Sequence, residues 1–218
     1  MIRQKLIAFR WMLAGIGLLG GTVAADGAER PPFAPTRDVA VVYQVEATQA
    51  PAGQAGGQQG GQTVKMSYSA ASGRLRLEQP SMPGYMLIDR ASGRMTMVMD
   101  QMRSFMDMPF DAKAGAGLLL NDKMTFSRAG ADRVAGMACT VWNVTSDKAT
   151  ARLCIAEDGV ILRGTGSDPK HGEGKLLATS VSYASQPAAI FSPPPGFLRM
   201  EMPAMPPNLG GKPGKPPG

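Results

Sequence analysis

Histidine occurs once in the 218 residues, as His171. It stands in Ser167-Asp-Pro-Lys-His-Gly-Glu-Gly174, a glycine-flanked, loop-like stretch that gives a serine and an acid no reason to converge on it. The chain also lacks a G-x-S-x-G elbow, a Walker loop and an H-E-x-x-H pair. Gly164-Thr-Gly166 lacks the remainder of a dinucleotide fingerprint. The acidic residues are scattered, and Asp100 and Asp107 read as turn and strand-surface residues. These absences exclude the common hydrolase, nucleotide-binding and zinc-protease designs. The expectation is a protein that is not an enzyme and carries no catalytic cofactor.

A concentrated charge of one sign is missing as well. The chain holds 23 basic and 17 acidic residues, but three of the basic ones, Arg3, Lys5 and Arg10, lie in the first 25 residues. No basic run of the nucleic-acid type remains, and Lys212 and Lys215 stand alone between prolines and glycines. Nucleic acid is therefore not an expected partner. Long apolar runs are also absent. Trp11 to Leu19 is apolar but shorter than the ~20 residues of a membrane span. With its basic flank and Val23-Ala24-Ala25 before Asp26, it reads as a secretory signal peptide over residues 1–25. The alternative is an uncleaved N-terminal anchor. No stable membrane span is expected after cleavage, and the protein is expected to be periplasmic or secreted.

Only two cysteines are present, Cys139 and Cys154. An even count in an exported chain favours a disulfide over two buried thiols. A hairpin turning at Thr145-Ser-Asp-Lys148 sets the two directly opposite, at a non-hydrogen-bonded pair. Without a Cys-x-x-Cys the bond is a staple and not a redox centre.

Composition divides the rest. Residues 26–36 read as a flexible, proline-bearing leader, 48–61 as a disordered Gly/Gln loop, and 200–218 as a disordered Pro/Gly/Met tail. Between them, 37–199 reads as a single antiparallel half-barrel domain of the mainly β (α+β) class. Short alternating segments mark about ten strands, from Val39-Ala-Val-Val-Tyr43 to Lys175–Tyr183. Arg90-Ala-Ser-Gly93 reads as a four-residue hairpin loop, and Asp158-Gly159 as a two-residue one. Asp111 to Leu120 and Pro187 to Phe191 are the one or two short helices expected. So many strands joined by short turns must curl to protect their edges.

What the chain has in quantity is methionine, 16 residues, six of them within the fourteen from Met95 to Met108. They alternate as a strand alternates. With loops at 90–93 and 100–103, Ile88 faces Met95, Met86 faces Met97, Met97 faces Met106 and Met95 faces Met108. Met86, Ile88, Met95, Met97, Met99, Met106 and Met108 then share one face of three strands. Tyr85, Leu87, Val98 and Phe105 line the other. A sheet apolar on both sides is either sandwiched or borders a ligand cavity. Methionine, flexible and polarisable, suits varied apolar ligands.

From Phe126 onward the residues carry a resemblance. The segments are Phe126-Ser-Arg128, Gly130-Ala-Asp-Arg-Val-Ala-Gly136, Cys139-Thr-Val-Trp142, Cys154-Ile-Ala-Glu-Asp-Gly-Val-Ile-Leu-Arg163 and Phe191-Ser-Pro-Pro-Pro-Gly-Phe197. Together they resemble a family of exported bacterial domains of unknown function, itself similar to the lipoprotein-carrier (LolA/LolB-like) half-barrels. The resemblance implies a strongly curved antiparallel sheet with helices against an apolar concavity, and it carries no site residue across.

Three functions stay open. The first is a non-enzymatic binding protein whose methionine face takes a lipid, an acyl chain or an apolar segment of an envelope protein. The second is copper(I) binding by thioethers, which select soft monovalent copper, through Met95, Met97, Met106 and Met108 and the tail's Met200, Met202 and Met205. The third is a structural or envelope-assembly protein in which the methionines are plain core.

Overall fold

The computed structural model describes residues 29–47, 61–109, 120–147, 149–168 and 172–201. Twelve strands form one sheet. They are β1 Val39–Ala47, β2 Gln62–Ser69, β3 Arg74–Glu78, β4 Gly84–Asp89, β5 Arg94–Met99 and β6 Ser104–Pro109. β7 Thr125–Val134, β8 Met137–Thr145, β9 Thr150–Ile155, β10 Ile161–Asp168, β11 Gly172–Ser182 and β12 Leu198–Met200 follow. Their order across the sheet is β12-β6-β5-β4-β3-β2-β1-β11-β10-β9-β8-β7. The sheet is open and curved, with β12 and β7 at its two ends among the described residues. It is a meander in two halves, joined where β1 pairs β11.

The local chemistry explains the elements. β1 alternates Val39, Val41 and Tyr43, all at most 2% exposed, with more accessible residues. That period of two commits one face to the core. The main core joins β1 to β4 with β10 and β11 through Val41, Tyr43, Met66, Leu75, Leu77, Leu162 and Ala178. Burying each such aliphatic or aromatic side chain contributes roughly 1.5–3 kcal/mol. Contact between residues from both halves marks this face as the concave one.

Several expectations are corrected. Among the described residues the strands number twelve, not about ten, and one of them is parallel: β12 runs alongside β6, with Met200 opposite Met106. Met200 is thus a strand residue and not the start of a tail. The alternation Leu198-Arg199-Met200 was too short to register as a strand by itself.

The leader is not a free segment from residue 29 on. Phe33 stacks on Phe126 with ring centroids 5.8 Å apart, and Ala34 packs on the main core. The Thr36 N–H donates to the Asp158 carbonyl at 2.9 Å. Its prolines carry no amide donors to satisfy, so a leader of this composition docks cheaply.

The disulfide forms, with Cα atoms 5.4 Å apart, but the cysteines are not opposed. Cys154 faces Val141, and the bond runs diagonally to Cys139. The cause is the turn. Ser146–Ala149 is the loop, closed by the Ser146 N–H on the Ala149 carbonyl, so the register slips by two. The Asp158-Gly159 hairpin has three loop residues and not two. Gly159, at φ +90°, ends it beneath the hydrogen bond from the Ala156 N–H to the Val160 carbonyl.

One short helix occurs among the described residues, a 3-10 turn at Ala188–Phe191, where a helical turn was expected. The helix expected at 111–120 lies outside the described residues except for Leu120, which is 3% exposed. The signal segment, the Gly/Gln loop up to residue 60, His171, Met202 and Met205 also lie outside them.

Candidate functional site

The two methionine hairpins fold in the register that their loop lengths dictate. Met86 pairs with Met97 and Ile88 with Met95, and Met97 pairs with Met106 and Met95 with Met108. Continued through neighbouring strands, one row runs Met200–Met106–Met97–Met86–Leu77–Met66–Val41. A second runs Met108–Met95–Ile88–Leu75–Tyr68–Val39. Met99 sits one step further, between Gly84 and Ser104. Neighbouring strands lie ~4.8 Å apart, so the methionines of a row are cross-strand neighbours. All seven predicted face residues come together. Met66, Leu77 and Met200 join them, unforeseen because their pairing spans strands that local pattern does not connect.

Burial grades along the rows. Ile88 is buried, and Met86 and Met95 pack against the main core. Met97, Met99, Met106 and Met108 are half-buried, and at the edge Met200 is 41% exposed and Leu198 74%. The face closes toward the middle of the sheet and opens toward β12.

The opposite, convex face differs. Tyr85, Leu87 and Val98 are buried there, with Phe105 and Phe197 packed on them. Ile190 and Phe197, from the chain that leads to β12, lie on this side. Arg76 anchors that chain, donating to the Ile190 carbonyl at 3.2 Å while lying over the Tyr85 ring at 3.4 Å. Asp107 accepts from Thr96 Oγ1 at 2.6 Å and pairs with Arg199 at 3.0 Å. The convex apolar face is therefore covered by the protein itself.

Beside the methionine rows on the concave side lies a cavity of about 40 Å³. Tyr43, Met66, Tyr68 and Leu75 form its floor, and Phe33, Ala34 and Pro35 of the leader cross it. Arg90, from the β4–β5 turn, closes one end. Its guanidinium donates to the Phe33 carbonyl and to the Leu120 carbonyl, both at 2.9 Å. Burial pushes the Tyr68 hydroxyl above its ordinary pKa, with Arg90 pulling it back in part. Burial raises Tyr43 much further, and its hydroxyl donates to the Ile161 carbonyl at 2.9 Å. Sequence reasoning missed Arg90, because nothing local distinguishes it from other hairpin-loop arginines.

Around the site, carboxylates are held by backbone amides. Asp38 accepts from the Gln186 and Ala70 N–H groups, which keeps it below the usual carboxylate range. Asp89 is lowered chiefly by the Ser92 amide. Ser104 Oγ, buried near Met99, has no hydrogen-bond partner among the described residues. Among those residues no three His, Cys, Asp or Glu side chains gather as a metal site. No helix among them is long and apolar enough to cross a membrane.

Residues 58–166 match the sequence model of a family described as a domain of unknown function (DUF4412), half of the chain. No curated protein matches the chain. Among solved structures it is similar to an uncharacterized conserved protein from Thermus thermophilus, at 11% identity over 77% of this chain and 91% of that one, with a TM-score of 0.49. It is also similar to a chain of the MucA/MucB complex from Pseudomonas aeruginosa, at 14% identity over 71% of this chain and 55% of that one, TM-score 0.44. A third likeness is to a candidate outer membrane lipoprotein-sorting protein domain from Vibrio parahaemolyticus, at 10% identity over 71% of this chain and 89% of that one, TM-score 0.31.

Proposed function

The chain belongs to the DUF4412 family of domains of unknown function, and on that premise we propose that it is an exported, non-enzymatic binding protein. Its methionine-lined concave face takes a lipid, an acyl chain or an apolar segment of an envelope protein. One observation carries this reading. Two cross-strand rows of thioethers remain half-buried on the concave side, while on the convex side Tyr85, Leu87 and Val98 are buried under Phe105 and Phe197 of the protein itself. A plain core methionine is buried like Met66, at 8% exposed. Burial of each ligand CH₂ against such a surface is worth ~0.8 kcal/mol, so several carbons bind without polar recognition. The Cys139–Cys154 disulfide supports an oxidising compartment, and the periplasm is the compartment proposed.

A second reading has its own support. Met97, Met106 and Met200 occupy three adjacent strands at one row, a spacing from which thioethers can share a copper(I) ion. In that reading Met95, Met97, Met106 and Met108 are the core ligands, with Met202 and Met205 following Met200 in the chain.

One set of variants tests both. Met95, Met97, Met106 and Met108 are replaced together by leucine, and in a second protein by glutamine. Leucine nearly conserves volume, so a fluorescent fatty acid should bind the leucine variant as it binds the native protein. Glutamine adds polar amides to the face, and binding should fall by about tenfold or more, since 1.4 kcal/mol is tenfold. If leucine abolishes a copper(I) affinity that the native protein shows, and no fatty acid binds either protein, the apolar reading is wrong.

A further inference from the structure

Resting on that binding reading, we infer that the ligand is a single-chain amphiphile with an anionic head, and that Arg90 receives the head in exchange for the leader. The arginines provide the starting point. Among the described residues, Arg74, Arg76 and Arg90 are the half-buried ones, and the rest are exposed. Arg74 is paired with Asp89 at 3.3 Å and Arg76 with Glu78 at 3.0 Å. Arg90 has no carboxylate within ion-pair distance among the described residues. Its two hydrogen bonds go to neutral backbone carbonyls, of Phe33 and Leu120.

A partly desolvated guanidinium with only neutral acceptors is under-compensated. Hydrogen bonds to an ionised oxygen are roughly twice as strong as those to a neutral one, and a carboxylate or phosphate engages the guanidinium fork through two oxygens at once. An anionic head therefore outcompetes the two carbonyls for Arg90.

The surroundings favour a chain attached to that head. Arg90 directly follows β4 at the end of the Tyr68–Leu75–Ile88–Met95–Met108 row. The other lining groups of its cavity are apolar or aromatic, with the Tyr68 hydroxyl as a second donor within the lining. From Ile88 and Met95, the concave side chains continue along β4 and β5 to Met86, Met97 and Met99.

At about 40 Å³ the cavity holds little more than a water or two, so an alkyl chain enters only if the leader moves. The leader residues Phe33, Ala34 and Pro35 fill the remaining space. Arg90 holds this strap at the Phe33 carbonyl, and Asp158 holds it at the Thr36 amide. When the head takes Arg90, the Phe33 and Leu120 carbonyls are freed together, and the space under the leader opens toward the methionine rows. Head binding and leader release are one event because they share one guanidinium.

The test uses the full chain and three probes: dodecanoate, dodecanol and acetate, at low ionic strength and neutral pH. The native protein should bind dodecanoate about tenfold tighter than dodecanol, and acetate not measurably. At equal concentration dodecanoate should speed hydrogen exchange at the Thr36 amide more than dodecanol does, because only its head competes for Arg90. In Arg90→Gln the two chains should bind alike, each at least as tightly as dodecanol binds the native protein because the leader is no longer held, and that binding also shows that the variant is folded. Should that variant not fold, Arg90→Lys keeps the charge but loses the fork, and its preference for the acid should be smaller than native. Equal affinities for acid and alcohol in the native protein overturn the anionic head while leaving the apolar face in place. A preference for the acid that survives Arg90→Gln, or is undiminished in Arg90→Lys, overturns the assignment to Arg90. If neither chain binds the native protein, this inference and the proposed function both fall.

Discussion

Replacing Gly159 by alanine tests whether the leader is part of the fold. Gly159 has φ +90°, and a Cβ there would stand 2.5 Å from the Ala34 carbonyl oxygen and 3.0 Å from its carbon. Gly73 provides the matched control: its φ is +65°, and nothing lies within 4 Å of a Cβ at that position. Both substitutions incur the left-handed penalty of an L-residue, about 1–2 kcal/mol. Only Gly159→Ala also displaces backbone of the leader. That displacement costs the hydrogen bond from Thr36 to Asp158, about 1 kcal/mol, and part of the burial of Phe33. Gly159→Ala should therefore destabilise by about 1–2 kcal/mol more than Gly73→Ala. For a chain of this size the excess lowers the melting midpoint by roughly 2–8 °C. Thermal and urea melts of the two variants measure the difference, and hydrogen exchange at Thr36 locates it. Equal stabilities within about 0.5 kcal/mol, or an unchanged Thr36 amide, would refute a docked leader.

Two further outcomes are expected. Replacing Cys139 and Cys154 together by alanine should cost about 3 kcal/mol for a closed loop of this length, the separation being 15 residues; a reductant should lower the native melting midpoint comparably, and a melt indifferent to both would mean that the bond is not formed in solution. In acid, Asp38 and Asp89 both have folded pKa values below the ordinary 3.8, so their contribution is present above that value and is lost as pH falls through the folded ones. Asp38→Asn should accordingly flatten the fall in urea midpoint below about pH 4, and an acid limb as steep as the native one would rule out Asp38 as a contributor.

Much of this fold is legible without coordinates. The registers of β4, β5 and β6 follow from two loop lengths, because a four-residue hairpin loop leaves one pairing once its flanking alternation is set. The same arithmetic failed at the cysteines. There Thr145 belongs to β8, and the loop begins at Ser146, whose hydroxyl accepts from the Ala149 amide at 3.2 Å. Thr145 suits strand and turn alike, so composition alone did not choose between two registers. The leader was misjudged for a related reason. Pro31-Pro-Phe-Ala-Pro35 resembles unstructured sequence, and what orders it is a surface assembled from Arg90, Phe126, Asp158 and Gly159, distant in the chain.

Sequence by itself determined the class of the protein, the positions of most strands though not of β12, the methionine rows of one three-stranded unit and the presence of a disulfide. These are local properties, set by side-chain period, turn chemistry and loop length over a few residues. Tertiary structure alone decided which apolar face the chain covers for itself. It also brought Met66, Leu77 and Met200 into the rows and placed Arg90 against the Phe33 and Leu120 carbonyls. Each of these needs strands or segments brought together across the sheet, and such contacts are chosen by the packing of the whole molecule and not by any neighbouring residue.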